Sequence, residues 1–318
     1  MIFSNENEFT EIVKCSDGMF EKGINGVLRI LTVNDKKIEF IQFKDKVLAY
    51  VKSPLEYPVY YPLHPVKLQK PLKGILMDLD GTTVKSEEFW IWIIERTVAK
   101  LLENPKFELE DADLPHVSGY SISEHLQYCI NKYCEGTSLL YARKHYFEIT
   151  RDEMQKIMDG KGRKNAFTPK EGIKDFLLTV KDKGIKIGLV TSGLYEKAYP
   201  EILSAFDTLG MGRPEDFYDS IITAGVLPGN GKCGTLGELE IKPHPWLYSE
   251  SCKVGLGIGF DDRHSVVGIE DSGAGVCSVR LAGFTAIGIS GGNIKQSGTK
   301  GLCSDYCNTF DEISKIIF

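Results

Sequence analysis

Residues 74–83 read GILMDLDGTT, an apolar run that ends in two aspartates, a glycine and two threonines. Side chains two apart in an extended strand point the same way, so Asp78 and Asp80 face one site. Like charges a few ångströms apart repel by roughly 1 to 4 kcal/mol in water-like to surface-like surroundings. A strand built to be buried therefore ends where positive charge is expected, and Gly81 lets the backbone turn away at once. Taken alone, the stretch is also compatible with a capped turn bearing solvated aspartates.

Other stretches repeat the pattern of the first. IKIGLVTS (185–192), DSIITAG (219–225), SVVGIED (265–271) and TAIGIS (285–290) are continuously apolar rather than alternating. That pattern marks strands buried on both faces, and the helical stretches between them predict an α/β, Rossmann-like doubly wound parallel sheet. Such sheets bind ligands beyond the C-terminal ends of their strands. There the chain places Thr191 and Ser192 hydroxyls and the Ser192 and Gly193 N–H groups, suited to an anion. KPHP brings Lys242, a point charge for a phosphoryl oxygen. VVGIEDSGAG ends in Glu270 and Asp271, hard oxygen ligands of the kind Mg²⁺ prefers.

The segment after the first strand begins SEEFWIWIIERTVAKLLE, where Ser86 is placed to cap a helix and Glu87 and Glu88 complement its positive end. Further helices are predicted near 121–135 and 138–158, giving an inserted helical cap domain over residues 85–167. The α/β core spans 72–84 and 168–318. Residues 1–53 read as a small β-rich module, with strands in GVLRILTV (26–33), IEFIQF (38–43) and KVLAYV (46–51) and a turn at Asn34-Asp35. Pro54, Pro58, Pro62, Pro65 and Pro71 make 54–71 a linker unfit for a central strand or a helix.

The 318 residues carry a net charge of −6, which argues against a general nucleic-acid or membrane-surface binder. The N-terminus lacks a basic, apolar leader, and no run approaches the roughly 18 apolar residues of a membrane span. A cytoplasmic location is expected. The eight cysteines are scattered, without CxxC spacing at Cys129/Cys134 or Cys303/Cys307, and read as reduced, space-filling thiols.

Acid pair, hydroxyl, lysine and acid pair, in chain order at four strand ends, resemble the haloacid dehalogenase superfamily of phosphotransferases. The branch is the one with a helical cap after strand one, similar to β-phosphoglucomutase and phosphoglycolate phosphatase. The resemblance covers about residues 72–318, including the closing LAGFTAIGIS and FDEISKII. It implies a Mg²⁺-dependent enzyme acting on a small phosphorylated metabolite, with Asp78 as nucleophile forming an aspartyl-phosphate. Mg²⁺ would be held by Asp78, the Asp80 backbone carbonyl and Asp271, with Glu270 behind them or bound through water. Lys242 and Thr191, with Ser192 and Gly193, would hold phosphoryl oxygens, and the Asp80 side chain would act as general acid, then base. The acid at position 80 argues against a dehalogenase.

The pattern departs from the phosphomutase at two places. Trp90 stands where that enzyme has a histidine in the first cap helix, and Ile122, in the loop SGYSISEH (118–125), stands where it has an arginine. A phosphatase is therefore expected, with a phosphomutase or a non-catalytic phosphate- or partner-binding protein as alternatives. Lys85, at the cap hinge, reads as solvated, and His244 as packed or bonded locally. His116 and His125 belong to the cap. GNGKC (229–233) lacks the spacing of a P-loop and GLGIGF (255–260) the last glycine of a dinucleotide motif; Asp261-Asp262 precede their strand rather than end it. Substrate identity, oligomeric state and the role of residues 1–70 are not written in the sequence.

Overall fold

The computed structural model describes residues 2–52, 59–117, 122–163, 166–226, 231, 233–234 and 241–318. Its first element is an antiparallel meander of β1 (Thr10–Ile12), β2 (Arg29–Thr32), β3 (Ile38–Gln42), β4 (Val47–Val51) and β5 (Val59–Pro62), paired in that order. Alternation gives the sheet two buried faces. Phe40 and Ala49 point one way, into a cluster shared with the α/β domain; Ile30, Ile41 and Tyr50 point the other way, onto Cys15 and Val27. β5 lies inside the segment expected to be only a linker. It is an edge strand, where Pro62 removes no ladder bond that the sheet needs. Pro54 and Pro58 lie outside the described residues.

The α/β domain and cap follow as β6 (Gly74–Asp78), β7 (Val84–Lys85), α1 (Glu87–Leu101), α2 (Ile122–Tyr133), α3 (Leu139–Met158), β8 (Thr168–Pro169), α4 (Ile173–Asp182) and β9 (Lys186–Val190). Then come α5 (Tyr195–Leu209), α6 (Pro214–Phe217), β10 (Ser220–Ile222), α7 (Trp246–Glu250), β11 (Val266–Glu270), α8 (Gly273–Leu281), β12 (Thr285–Ile289), α9 (Ile294–Ser297), β13 (Asp305–Cys307) and α10 (Phe310–Ile317). Six strands form one parallel sheet in the order β10-β9-β6-β11-β12-β13. Every residue of β6, β11 and β12 is buried, which is why their sequences do not alternate. β6 and β11 are neighbours that lead to opposite halves of the sheet. Their adjacent C-terminal ends make the crevice where such sheets bind ligands.

The antiparallel ribbon β7–β8 carries the chain into and out of the helices α1, α2 and α3. These bury Phe89, Ile93 and Val98 against Leu126, Ile130, Tyr146 and Met154. Ser86 does not cap α1 as expected: its backbone is already helical and its hydroxyl bonds elsewhere.

The N-terminal meander is not a loose appendage. Phe3, Phe40 and Leu63 share a hydrophobic cluster with Leu76 of β6, Leu247 of α7 and Val276 of α8. Arg280, almost wholly buried, donates to the carbonyls of Ile2 (2.7 Å) and His64 (3.4 Å).

Candidate active site

β6 delivers Asp78, and the turn after it delivers Asp80. Gly81 there has φ +82°, and a Cβ on it would lie 2.0 Å from Asp271 Oδ2, so only glycine lets the turn pass this carboxylate. The Thr83 hydroxyl donates to the Asp78 carbonyl at 2.6 Å and fixes the turn. From the neighbouring strand β11 come Glu270 and Asp271. Asp78, Glu270 and Asp271 are all buried and bring carboxylate oxygens within 4.8 Å of one another. Lys242 reaches among them: its Nζ lies 2.5 Å from Asp78 Oδ1, 2.6 Å from Glu270 Oε1 and 3.2 Å from the Val190 carbonyl. Glu270 also accepts from the Tyr248 hydroxyl (2.5 Å) and the Ser272 hydroxyl (3.1 Å).

Burial, then the Glu270 charge, pushes the Asp78 carboxyl up despite Lys242, and Asp271 rises for the same reason through burial and Asp78. Burial alone would lower Lys242, but Asp78 and Glu270 more than reverse it and keep it charged. Three buried carboxylates thus face one ion-paired ammonium among the described residues. Excess negative charge, hard oxygen donors and close spacing fit a divalent cation of the Mg²⁺ or Ca²⁺ type.

Asp80 is in a different environment. Its Oδ1 accepts from the Ser86 hydroxyl (2.6 Å) and the Trp90 indole N–H (3.0 Å), with Lys197 Nζ at 3.5 Å. Burial raises its carboxyl, but Lys197, Ser86 and Trp90 together outweigh this and hold it below the usual range. Lys197 also sits over the Trp90 ring, 4.1 Å from its centroid. Glu201, on the same helix α5, is fully buried near Asp80 and Ser86. Burial first, then Asp80, pushes its carboxyl well up, which favours the neutral acid.

The structure therefore brings Asp78, Asp80, Lys242, Glu270 and Asp271 together. The Gly193 N–H donates to Thr191 Oγ1 at 2.9 Å, so this N–H is turned to the threonine, while the Thr191 hydroxyl keeps its own proton to donate. Ser192 Oγ accepts the Lys242 backbone N–H at 3.2 Å, tying that loop to the end of β9. His244 bonds locally as expected, its backbone N–H donating to the Ile241 carbonyl at 3.0 Å, and its Nδ1 also meets the Tyr61 hydroxyl of β5 at 2.9 Å. His125 is buried within α2, and His116 stacks on Tyr128. Lys85 is exposed as expected, and Asp262 pairs with Lys73 at 2.7 Å. Ser118 to Ser121 of the cap loop, and most of GNGKC, lie outside the described residues.

Sequence reading named Ser86 as a helix cap and Trp90 as a departure from the phosphomutase, without their bonds to Asp80, and missed Lys197, Glu201, Tyr248 and Lys170. Lys170 Nζ donates to the carbonyls of Gly81 and Ser290, each at 2.6 Å, joining the turns after β6 and β12. The spacing of Trp90 and Ser86 from Asp80, one helical turn apart, was the available signal for the first two.

No helix among the described residues is long and apolar enough to cross a membrane. Residues 75–224 match the family model of haloacid dehalogenase-like hydrolases. No curated protein is significantly similar in sequence. Among solved structures, a mutant CbbY from Rhodobacter sphaeroides in complex with xylulose-1,5-bisphosphate is similar with a TM-score of 0.56 at 17% identity, over 76% of this chain and 96% of that one. A predicted phosphoglycolate phosphatase from Haemophilus somnus gives 0.57 at 18%, over 78% and 98%. A HAD family hydrolase from Deinococcus radiodurans with bound phosphate and sodium gives 0.53 at 18%, over 78% and 96%. At these identities the likeness is one of fold. Over residues 75–224 the chain is thus similar in sequence to the haloacid dehalogenase-like hydrolases, and its fold is similar to theirs beyond that span.

Proposed function

We propose that the protein is a Mg²⁺-dependent phosphatase that hydrolyses a small phosphorylated metabolite through an aspartyl-phosphate. The observation that carries this reading is the convergence of Lys242, Glu270 and Asp271 on Asp78 at the crevice between β6 and β11, with Asp80 held apart in its own set of donors. The similar CbbY and Deinococcus structures carry a sugar bisphosphate and phosphate, in line with a phosphorylated substrate.

In this reading Asp78, Asp271 and the Asp80 carbonyl hold the metal, with Glu270 supporting Lys242 and the ligands. A divalent cation there supplies charge neutralisation, so that a carboxylate and a phosphate dianion can approach. Asp78 attacks phosphorus; the Asp78 O–P bond forms as the ester P–O bond breaks, and Asp80 gives its proton to the leaving oxygen. Water then attacks phosphorus, passes a proton to Asp80, and releases inorganic phosphate and free Asp78. The low-lying carboxyl of Asp80 suits the second half. The arriving phosphate dianion raises it towards the protonated state that the first half needs. Lys242 exchanges part of its pairing with Asp78 for a phosphoryl oxygen.

Trp90 favours a phosphatase over a phosphomutase, because an indole at this position donates a hydrogen bond and cannot shuttle a proton. The test is phosphate release with Mg²⁺ and with EDTA across sugar phosphates, phosphoglycolate, nucleoside monophosphates and p-nitrophenyl phosphate. Metal-dependent turnover is expected. Dependence on a catalytic bisphosphate would point to a mutase, and silence across the panel from folded protein would overturn the reading.

A further inference from the structure

A cavity of about 210 Å³ lies between cap helix α3 and core helix α5. An engineered cavity of about 150 Å³ holds benzene, so this one has room for a substituted ring or a medium alkyl chain. Its walls are Tyr146, Phe147 and Met154 of the cap, and Leu194 and Pro200 of the core, with Ile122 at the edge. Thr150 also lines it. The other helical threonines, Thr97, Thr179 and Thr208, donate to the carbonyl four residues back, whereas the Thr150 hydroxyl has no partner among the described residues. Charged and amide groups, Arg151, Gln155, Glu196 and Lys197, complete the lining.

Two residues connect this cavity to the site. Leu194 directly follows Gly193 at the end of β9, and Lys197 lies 3.5 Å from Asp80 Oδ1. In the reading above, Asp80 protonates the leaving oxygen, so the carbon skeleton on that oxygen starts beside Lys197. Most of the accessible wall belongs to apolar side chains, so a polyhydroxylated sugar entering from there would find partners for some hydroxyls and leave the rest against Tyr146, Phe147, Met154, Leu194 and Pro200. An apolar group would gain by exchanging water for the same side chains, and methionine adapts to its shape.

We infer that the substrate is the phosphate monoester of an apolar alcohol, aryl or medium alkyl, whose hydrocarbon part fills this α3–α5 cavity. The inference rests on the phosphatase reading and deepens it. The test is kcat/KM for the n-alkyl phosphates from methyl to hexyl and for phenyl phosphate, against glucose 6-phosphate and glycerol phosphate. Thermal protection by the matching alkylphosphonates with Mg²⁺ is measured alongside. Burial predicts a rise of about fourfold per methylene until the cavity is full. Phe147→Ser, or Met158→Gln, also in the lining, should the first variant fail to fold, is expected to flatten the series. Metal-dependent turnover with a flat series, or with sugar phosphates preferred, overturns the apolar substrate and leaves the phosphatase standing. Absence of turnover on every ester overturns the phosphatase; the phosphonates then decide the cavity, graded protection supporting it and uniform protection refuting it.

Discussion

Trp90→Phe isolates one hydrogen bond to the carboxylate proposed as acid and base. The ring contacts with Phe89 (5.1 Å between centroids) and Phe167 (5.9 Å) are of a kind that phenylalanine retains, Lys197 keeps a weaker aromatic face beneath it, and the indole N–H, 3.0 Å from Asp80 Oδ1, is lost. Hydrogen bonds to charged groups contribute about 1.5–3 kcal/mol, and one pKa unit corresponds to about 1.4 kcal/mol. The Asp80 side chain is 31% exposed, so water replaces part of the loss and the lower end applies. Asp80 should therefore rise by about one unit, since the bond removed favours its ionised form. Hydrolysis of the aspartyl-phosphate needs Asp80 ionised, so the rate falls as pH drops through its pKa. The acid limb of the kcat profile is expected to move up by about one pH unit, with the plateau altered only a few-fold. A lowered plateau with an unmoved limb would refute the reasoning and make Trp90 a packing residue alone.

Other perturbations test neighbouring parts of the account. Gly81→Ala places a side chain at φ +82° and on top of the Asp271 carboxylate, and should weaken Mg²⁺ binding, measured by calorimetry, by at least about tenfold. Asp78 and Asp271 keep protons in the folded, metal-free protein at pH values where the unfolded chain has released them. Stability without metal should therefore fall as pH rises from about 4 to about 7, and saturating Mg²⁺ should remove that slope in urea titrations. Tyr61→Phe deletes the bond to His244, two residues beyond Lys242. It should cost about 1 kcal/mol of stability and lower kcat; unchanged kcat would mean that the N-terminal meander does not brace the lysine loop.

The α/β sheet was legible because its central strands are buried on both faces and so are written as unbroken apolar runs. Asp78, Asp80, Glu270 and Asp271 were legible because they terminate those runs. β13 was not read as a strand, because DYC is three residues with an aspartate and a tyrosine, short of any periodic signal. β5 was masked by its prolines, which an edge strand tolerates. The second set of residues, Ser86, Trp90, Lys197 and Glu201, belongs to two helices, α1 with its N-terminal flank and α5. These helices are far apart in sequence and meet only in the folded chain, beside the strand ends. Ser86 looked like a helix cap because serine before two glutamates usually is one; the nearby Asp80 offers its hydroxyl a stronger, charged acceptor. The role of residues 1–70 emerges only from packing, in the Tyr61–His244 contact and the Arg280 bonds.

The most direct test of the central claim is acid-quenched mass spectrometry of the protein mixed with Mg²⁺ and a turned-over phosphate monoester. The account predicts one phosphoryl group on the peptide carrying Asp78, labile to hydroxylamine, and absent from Asp78→Asn and from EDTA-treated protein. Undiminished turnover in a folded Asp78→Asn protein, or a phosphoryl group on a different residue, would contradict it.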